Sequence, residues 1–82
     1  MKDTSPAKML RGCFYKCGSG SLILAIGSTT GVVVSNERIL PDIRAWEITA
    51  GPLTVQEAHR RFGYKPERLQ KLVAIYIPGG RS

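Results

Sequence analysis

The sequence has few of the side chains that catalysis requires. It contains one histidine, two cysteines and six acidic residues in 82 positions. His59 could act as a base only beside a positioned partner, and no spacing in the sequence brings it to Cys13 or Cys17. The glycines of 18–20 and 27–31 complete neither a Gly-Lys-Ser/Thr phosphate loop nor a G-x-G-x-x-G pattern. We therefore expect no enzyme activity and no cofactor.

Cysteines are also too few for a disulfide framework or a zinc centre. Cys13 and Cys17 are separated by three residues, and an extended strand would hold their Cα atoms about 13 Å apart, which is too far for a disulfide. A zinc ion would need two further ligands, of which His59 could supply only one. The sequence predicts two reduced thiols and no metal site.

A long apolar run is missing as well. The longest uncharged stretch lies between Lys16 and Glu37, and the polar residues 27–31 interrupt it. A membrane-spanning helix needs about 20 predominantly apolar residues. No secretory signal is recognisable at the N-terminus. We expect a cytoplasmic protein with no membrane contact.

Basic residues, in contrast, are abundant. Twelve Lys and Arg against six Asp and Glu give a net charge of +6 and a pI near 9.8. The charge is +3 over residues 1–19, −1 over 20–51 and +4 over 52–82. Two basic ends around a nearly neutral middle favour a polyanionic partner.

The first part of the chain has the pattern of a small β-sheet. Residues 1–8 are polar and predict a flexible basic arm, followed by a single domain over 9–82 with a β-rich part at 10–49. The apolar runs 22–26 and 32–34 surround five turn-forming residues, which predicts a hairpin. Residues 35–38 indicate a second turn.

A further short strand is predicted at 43–49, ended by Gly51-Pro52. Both faces of the hairpin 22–34 are apolar, so both should be covered. We expect one face to pack on helices, and the other is our candidate interface for a homodimer.

Residues 54–77 predict two short helices. Thr54 and Glu57 have the spacing of a capping box, and Gly63 follows the last apolar residue of the first helix. Pro66 suits the first turn of the second helix. Leu69 and three further apolar residues then recur at helical spacing up to position 76. Residues 75–77 could instead begin a final strand. The predicted fold is α+β: a small antiparallel sheet followed by a helical pair.

The helical pair resembles the helix-turn-helix of small bacterial and phage DNA-binding proteins. In that family a glycine opens the turn, and apolar residues follow six and nine positions later, as Gly63, Leu69 and Leu72 do here. The family has a small residue four positions before the glycine, where this chain has His59. The resemblance covers about a quarter of the chain.

This resemblance implies roles for the polar residues of the pair. The helix over 66–76 would be the recognition helix, and three of its side chains would read bases: Arg68, Gln70 and Glu67. Four cations would contact phosphates: Arg60, Arg61, Lys65 and Lys71. The implied function is sequence-specific DNA binding by a phage- or plasmid-type transcriptional regulator, with dimerisation to read two half-sites.

Two alternatives to DNA binding remain open. An amphipathic helical hairpin can simply cap a sheet, in which case the protein would be a small interaction module or an inhibitor that presents its basic face to a host protein. The other alternative is RNA binding on the sheet, through the different residues Phe14, Tyr15 and Trp46.

Overall fold

The protein folds as a five-stranded antiparallel sheet followed by two helices, which confirms the predicted α+β class. The computed structural model describes residues 5–78. The strands and helices are β1 (Phe14–Cys17), β2 (Leu22–Ala25), β3 (Gly31–Val33), β4 (Ile39–Leu40), β5 (Ile48–Leu53), α1 (Val55–Phe62) and α2 (Pro66–Tyr76).

The first four strands form a meander, and the fifth returns to pair with the first. The spatial order is β4-β3-β2-β1-β5. Phe14 of β1 lies opposite Leu24 of β2 on one side and opposite Leu53 of β5 on the other. Both predicted turns, at 27–31 and 35–38, therefore fall between neighbouring antiparallel strands.

Alternating side chains divide the core into two layers. One face of the sheet packs against the helices through buried residues of both: Phe14, Leu22, Leu24, Val34, Leu53, Ala58, Leu69, Leu72 and Ile77. The opposite face, around Tyr15, Ile23 and Val33, is covered by Ala7, Met9 and Ile43.

That second face was the candidate dimer interface, and here the chain covers it with its own segments. Ile23 is fully buried and Val33 is buried too, so the apolar side chains of the hairpin are already packed. The covering segment includes part of the predicted flexible arm. Ala7 is only 3% exposed, and its N–H donates to the carbonyl of Ile43 at 2.9 Å. Residues 5–8 of the predicted arm are therefore joined to the rest of the domain through Ala7. Residues 1–4 of the arm lie outside the described residues.

A short strand was predicted at 43–49, and this prediction was wrong for most of the segment. Ala45–Glu47 forms a 3-10 turn, and the strand begins at Ile48. The strand also continues through Gly51-Pro52, a cis peptide, instead of ending there. β5 is an edge strand, and a proline is tolerated there because one side of the strand donates no sheet hydrogen bond.

The helical pair has the predicted limits. Glu57 N–H donates to Thr54 Oγ1 at 3.1 Å, and Thr54 N–H donates to Glu57 Oε1 at 2.9 Å, which confirms the capping box. Gly63 ends α1 with a left-handed φ of 79°. Pro66 is the first residue of α2. The alternative of a strand at 75–77 is wrong, because α2 continues to Tyr76.

Candidate nucleic-acid interface

One side of α2 faces solvent along most of its length. Leu69 and Leu72 are buried beneath the helix. An α-helix has 3.6 residues per turn, so residues spaced three or four apart lie on the same side of it. One such set lies on the side of α2 opposite Leu69 and Leu72. We call this the α2 stripe; its exposed residues are Glu67, Gln70, Lys71, Ala74 and Ile75.

An open cleft of about 690 Å³ lies between α1 and α2 beside this stripe. Arg60 contributes a guanidinium from α1, and Gln70 contributes an amide from α2. The described residues that line the cleft are Thr54, Val55, Gln56, His59, Arg60, Pro66 and Gln70. None of them carries a carboxylate, so the cleft offers hydrogen-bond donors and positive charge to an anion.

The ring of His59 is fixed within this cleft. Its Nδ1 lies 2.9 Å from the carbonyl oxygen of Tyr64, across the turn between the helices. A carbonyl can only accept, so Nδ1 carries the proton and donates it. In the neutral ring, Nε2 is then an acceptor. This contact also shows how the turn accommodates a histidine where the resembled family has a small residue: the exposed ring bonds to the turn and not into the core.

Arg68 is directed differently from the other predicted base-reading residues. Its Nη2 donates to the carbonyl oxygen of Val34 at 2.8 Å. Its Nη1 lies 3.3 Å from Oε2 of Glu37, and the side chains of this ion pair are each 36% exposed. Tyr76 completes the group by donating its hydroxyl to Glu37 Oε1 at 3.0 Å. These contacts, here called the Glu37 clamp, join α2 to the turn between β3 and β4.

The clamp affects the ionisation of one member. The pKa of Tyr76 is raised, first because its hydroxyl donates a hydrogen bond to the Glu37 carboxylate and then because the phenol is partly desolvated. The negative charge of Glu37 acts in the same direction, while the positive charge of Arg68 opposes it. The neutral phenol is therefore the form that stabilises the clamp.

The four cations predicted to contact phosphates are all exposed, and they come from α1, the turn and α2. Arg60 lines the cleft and Lys71 lies on the α2 stripe. Lys65 precedes α2 as its N-cap residue. Arg61 points to the other flank of α1, where its Cζ lies 5.4 Å from the ring centroid of Phe62.

The third residue predicted to read bases, Glu67, lies in the first turn of α2. It is exposed and belongs to the α2 stripe. The stripe therefore carries one negative charge beside the positive charge of Lys71.

Lys16 was not predicted as part of a functional surface, yet it approaches the helical pair. Its Nζ lies 4.9 Å from the ring centroid of Phe62, the same ring that Arg61 contacts. The signal was present in the sequence, because a period of two places Lys16 on the same sheet face as Phe14. The pairing of that face with α1 could not be read from the local pattern.

The cysteines lie away from this surface and are not bonded to each other. Cys17 is buried, and burial is the main reason that the pKa of its thiol is raised; the nearby Glu47 raises it further, while Lys16 lowers it. Within residues 5–78, no three His, Cys, Asp or Glu side chains are grouped as metal ligands. In the same range, no helix has the length and apolar character needed to cross a membrane.

Comparison with known protein families finds no family that matches the chain, and comparisons with characterised proteins and with solved structures find no match either.

Proposed function

We propose that this protein binds duplex DNA with the α2 stripe and the adjoining cleft. The observation that carries the proposal is the cleft itself, which has Arg60 on one wall, Gln70 on the other and no carboxylate among its described lining residues. The helical pair from 54 to 76 carries five Lys and Arg against two Glu, so its field attracts a polyanion.

The exposed side of α2 has the chemistry to read base edges in the major groove. The Gln70 amide offers both donors and an acceptor, which match N7 and N6 of adenine. Lys71 can donate to O6 and N7 of guanine. Both side chains are exposed and lie in the first two turns of α2, where a recognition helix makes its base contacts.

We assign Arg68 to a supporting role in place of the base-reading role that the sequence suggested. To reach a base it would have to leave both the Val34 carbonyl and the Glu37 carboxylate. Its contacts instead fix α2 against the sheet, and this orients the α2 stripe. Base reading in this proposal therefore rests on Gln70 and Lys71, with Glu67 as a residue that can accept from cytosine.

Phosphate contacts come from the side chains around the stripe. Arg60 can reach a phosphate from the cleft, and Lys65 can do so from the turn before α2. Such contacts fix the register of the protein on the duplex but do not select a sequence. Two copies bound to neighbouring half-sites would supply further specificity, as expected of a transcriptional regulator of phage or plasmid type. Their contact would have to use surfaces other than the buried side chains of the hairpin 22–34.

The proposal is tested by binding of a mixed-sequence duplex, measured by fluorescence anisotropy at moderate salt. Arg60→Gln and Lys71→Gln should each weaken binding and flatten its dependence on salt. Lys8→Gln is the matched control, because Lys8 is exposed between Ala7 and Met9, which cover the sheet face opposite the helices. Equal affinity of all three variants and the wild type would argue against this surface.

One observation favours a second candidate function, a protein-interaction module. Ile75 lies on the α2 stripe and is 51% exposed. A large exposed apolar residue on a docking surface is more typical of protein interfaces than of DNA contacts. Under this function, Ile75→Ser would abolish binding to an acidic protein partner, while the variant would leave any weak DNA binding unchanged.

A further inference from the structure

Two cations from distant parts of the chain meet at one aromatic ring. Lys16 comes from β1 and Arg61 from the last turn of α1, and their charged groups lie 4.9 and 5.4 Å from the ring centroid of Phe62. The two positive charges therefore lie within about 10 Å of each other. Both distances are within the range of a cation–π contact.

The ammonium group of Lys16 is held in place by a second contact, since its Nζ donates to the carbonyl oxygen of Gly20. Lys16 is half-buried, whereas Arg61 is exposed. The site therefore has one cation that is fixed by the sheet and one that faces solvent, and both lie against the same half-buried ring.

No carboxylate within the described range 5–78 forms a salt bridge with either cation. Glu57 is one helical turn before Arg61, but its carboxylate accepts from Thr54 N–H in the capping box. Two like charges at one ring without a paired anion repel each other, and an anion between or beside them would relieve that repulsion. The ring attracts both cations, but it has no net negative charge and so does not neutralise them.

We propose that Lys16 and Arg61 form a phosphate-binding site for the DNA backbone on the flank of α1 opposite the cleft. This inference rests on the proposed function, and it extends the contact surface from the helices onto the sheet. Arg60 and Arg61 are consecutive residues of α1, so one contributes to the cleft and the other to the Phe62 ring. A DNA strand that crosses α1 meets a cation on each side of the helix.

The position of this site determines how the duplex is held. With α2 in the major groove, phosphates of one strand pass over α1 from the cleft towards β1. Lys16 then anchors the far end of that path, so the angle of α2 in the groove is fixed by the sheet as well as by the helices. Backbone contacts of this kind raise affinity for all sequences equally.

The test is the salt dependence of DNA affinity for Lys16→Gln and Arg61→Gln, with a mixed-sequence duplex as the probe. The slope of log K against log salt becomes shallower by about 0.9 for each phosphate that a variant no longer neutralises. Because the two cations form one site, we expect that reduction for the double variant and a part of it for each single variant. Lys16→Arg keeps the charge and should retain the slope of the wild type, and Lys8→Gln should retain it as well.

Folding is checked for each variant by thermal denaturation, because Lys16 also contacts Phe62. If Lys16→Gln does not fold, Arg61→Gln decides the question, since Arg61 is exposed. If the wild type binds DNA and the slopes of Lys16→Gln and Arg61→Gln equal that of Lys8→Gln, the phosphate site is wrong and the proposed function stands. If the wild type binds no DNA, both are wrong.

Discussion

The guanidinium of Arg68 donates to the main-chain carbonyl of Val34 at 2.8 Å, which connects residues 34 positions apart in the chain. Val34 follows β3 and is itself buried, and Arg68 belongs to the first turn of α2. Through this bond and the ion pair with Glu37, the side chain of Arg68 adds a polar contact between α2 and the sheet to the apolar packing of Leu69 and Leu72. The apolar packing and these polar contacts together orient the α2 stripe.

We predict that Arg68→Ala destabilises the fold by about 1–2 kcal/mol, because the Val34 carbonyl loses its charged donor. The partial exposure of the Arg68–Glu37 ion pair keeps the loss at the low end for a charged hydrogen bond. Urea denaturation would measure the change. Lys71→Ala is the control, and this exposed position should stay within about 0.5 kcal/mol of the wild type. An equal effect of the two substitutions would contradict the role of Arg68.

The raised pKa of Tyr76 predicts a loss of stability in alkaline solution. The neutral phenol donates to Glu37, so its contribution is complete below the ordinary value of 10.0 and is lost as the pH rises through the raised value in the folded state. Tyr76→Phe cannot make the bond, so it should be less stable than the wild type at about pH 8, and the difference should shrink towards about pH 11. Melting curves recorded between about pH 8 and pH 11 would measure this difference in stability, with Tyr64→Phe as the control. A difference between Tyr76→Phe and the wild type that stays constant with pH would contradict the prediction.

The close approach of β5 to β1 predicts a specific cost at Gly51. A Cβ added there would lie 2.5 Å from Cδ2 of Tyr15 and 2.9 Å from the carbonyl oxygen of Phe14. Gly20 also has a positive φ, but a Cβ at that position would meet nothing within 4 Å. Gly51→Ala should therefore lose about 1–3 kcal/mol more than Gly20→Ala, since only the former adds overpacking to backbone strain. Chemical denaturation of both variants would measure the difference.

The two thiols should differ in reactivity. Cys17 is buried and the pKa of its thiol is raised, so less of the reactive thiolate is present and access is poor. Cys13 is half-buried. We expect a disulfide reagent in mildly alkaline buffer to label the folded protein in two phases, with Cys13 in the fast one. Cys13→Ser should remove the fast phase, whereas loss of the slow phase in that variant would reverse the assignment.

The parts of the fold that the sequence predicted correctly are those set by local chemistry. The hairpin follows from turn residues between apolar runs, and the limits of α1 follow from Thr54, Glu57 and Gly63, whose interactions all lie within one turn of the chain. The error at 43–49 has a tertiary origin. This segment carries Ile43 into the second core layer before Ala45–Glu47 turns the chain towards the sheet edge.

The candidate site was predictable only in part for the same reason. Exposure of Gln70 and Lys71 follows from the helical period of the buried leucines. The diversion of Arg68 to Val34 depends on residues 34 apart, and the meeting of Lys16 with Arg61 at Phe62 depends on how α1 lies on the sheet. Local patterns carry no information on either contact.

Base reading by α2 is tested by selection of bound sequences from a random duplex pool at near-physiological salt, carried out on the wild type and on Gln70→Ala. We predict that the wild type enriches a motif and that Gln70→Ala loses preference at one position of it, by about 1–3 kcal/mol. Half-sites about 10 bp apart would identify a dimer. Salt-sensitive binding with no enriched motif in the wild type would contradict base reading by α2.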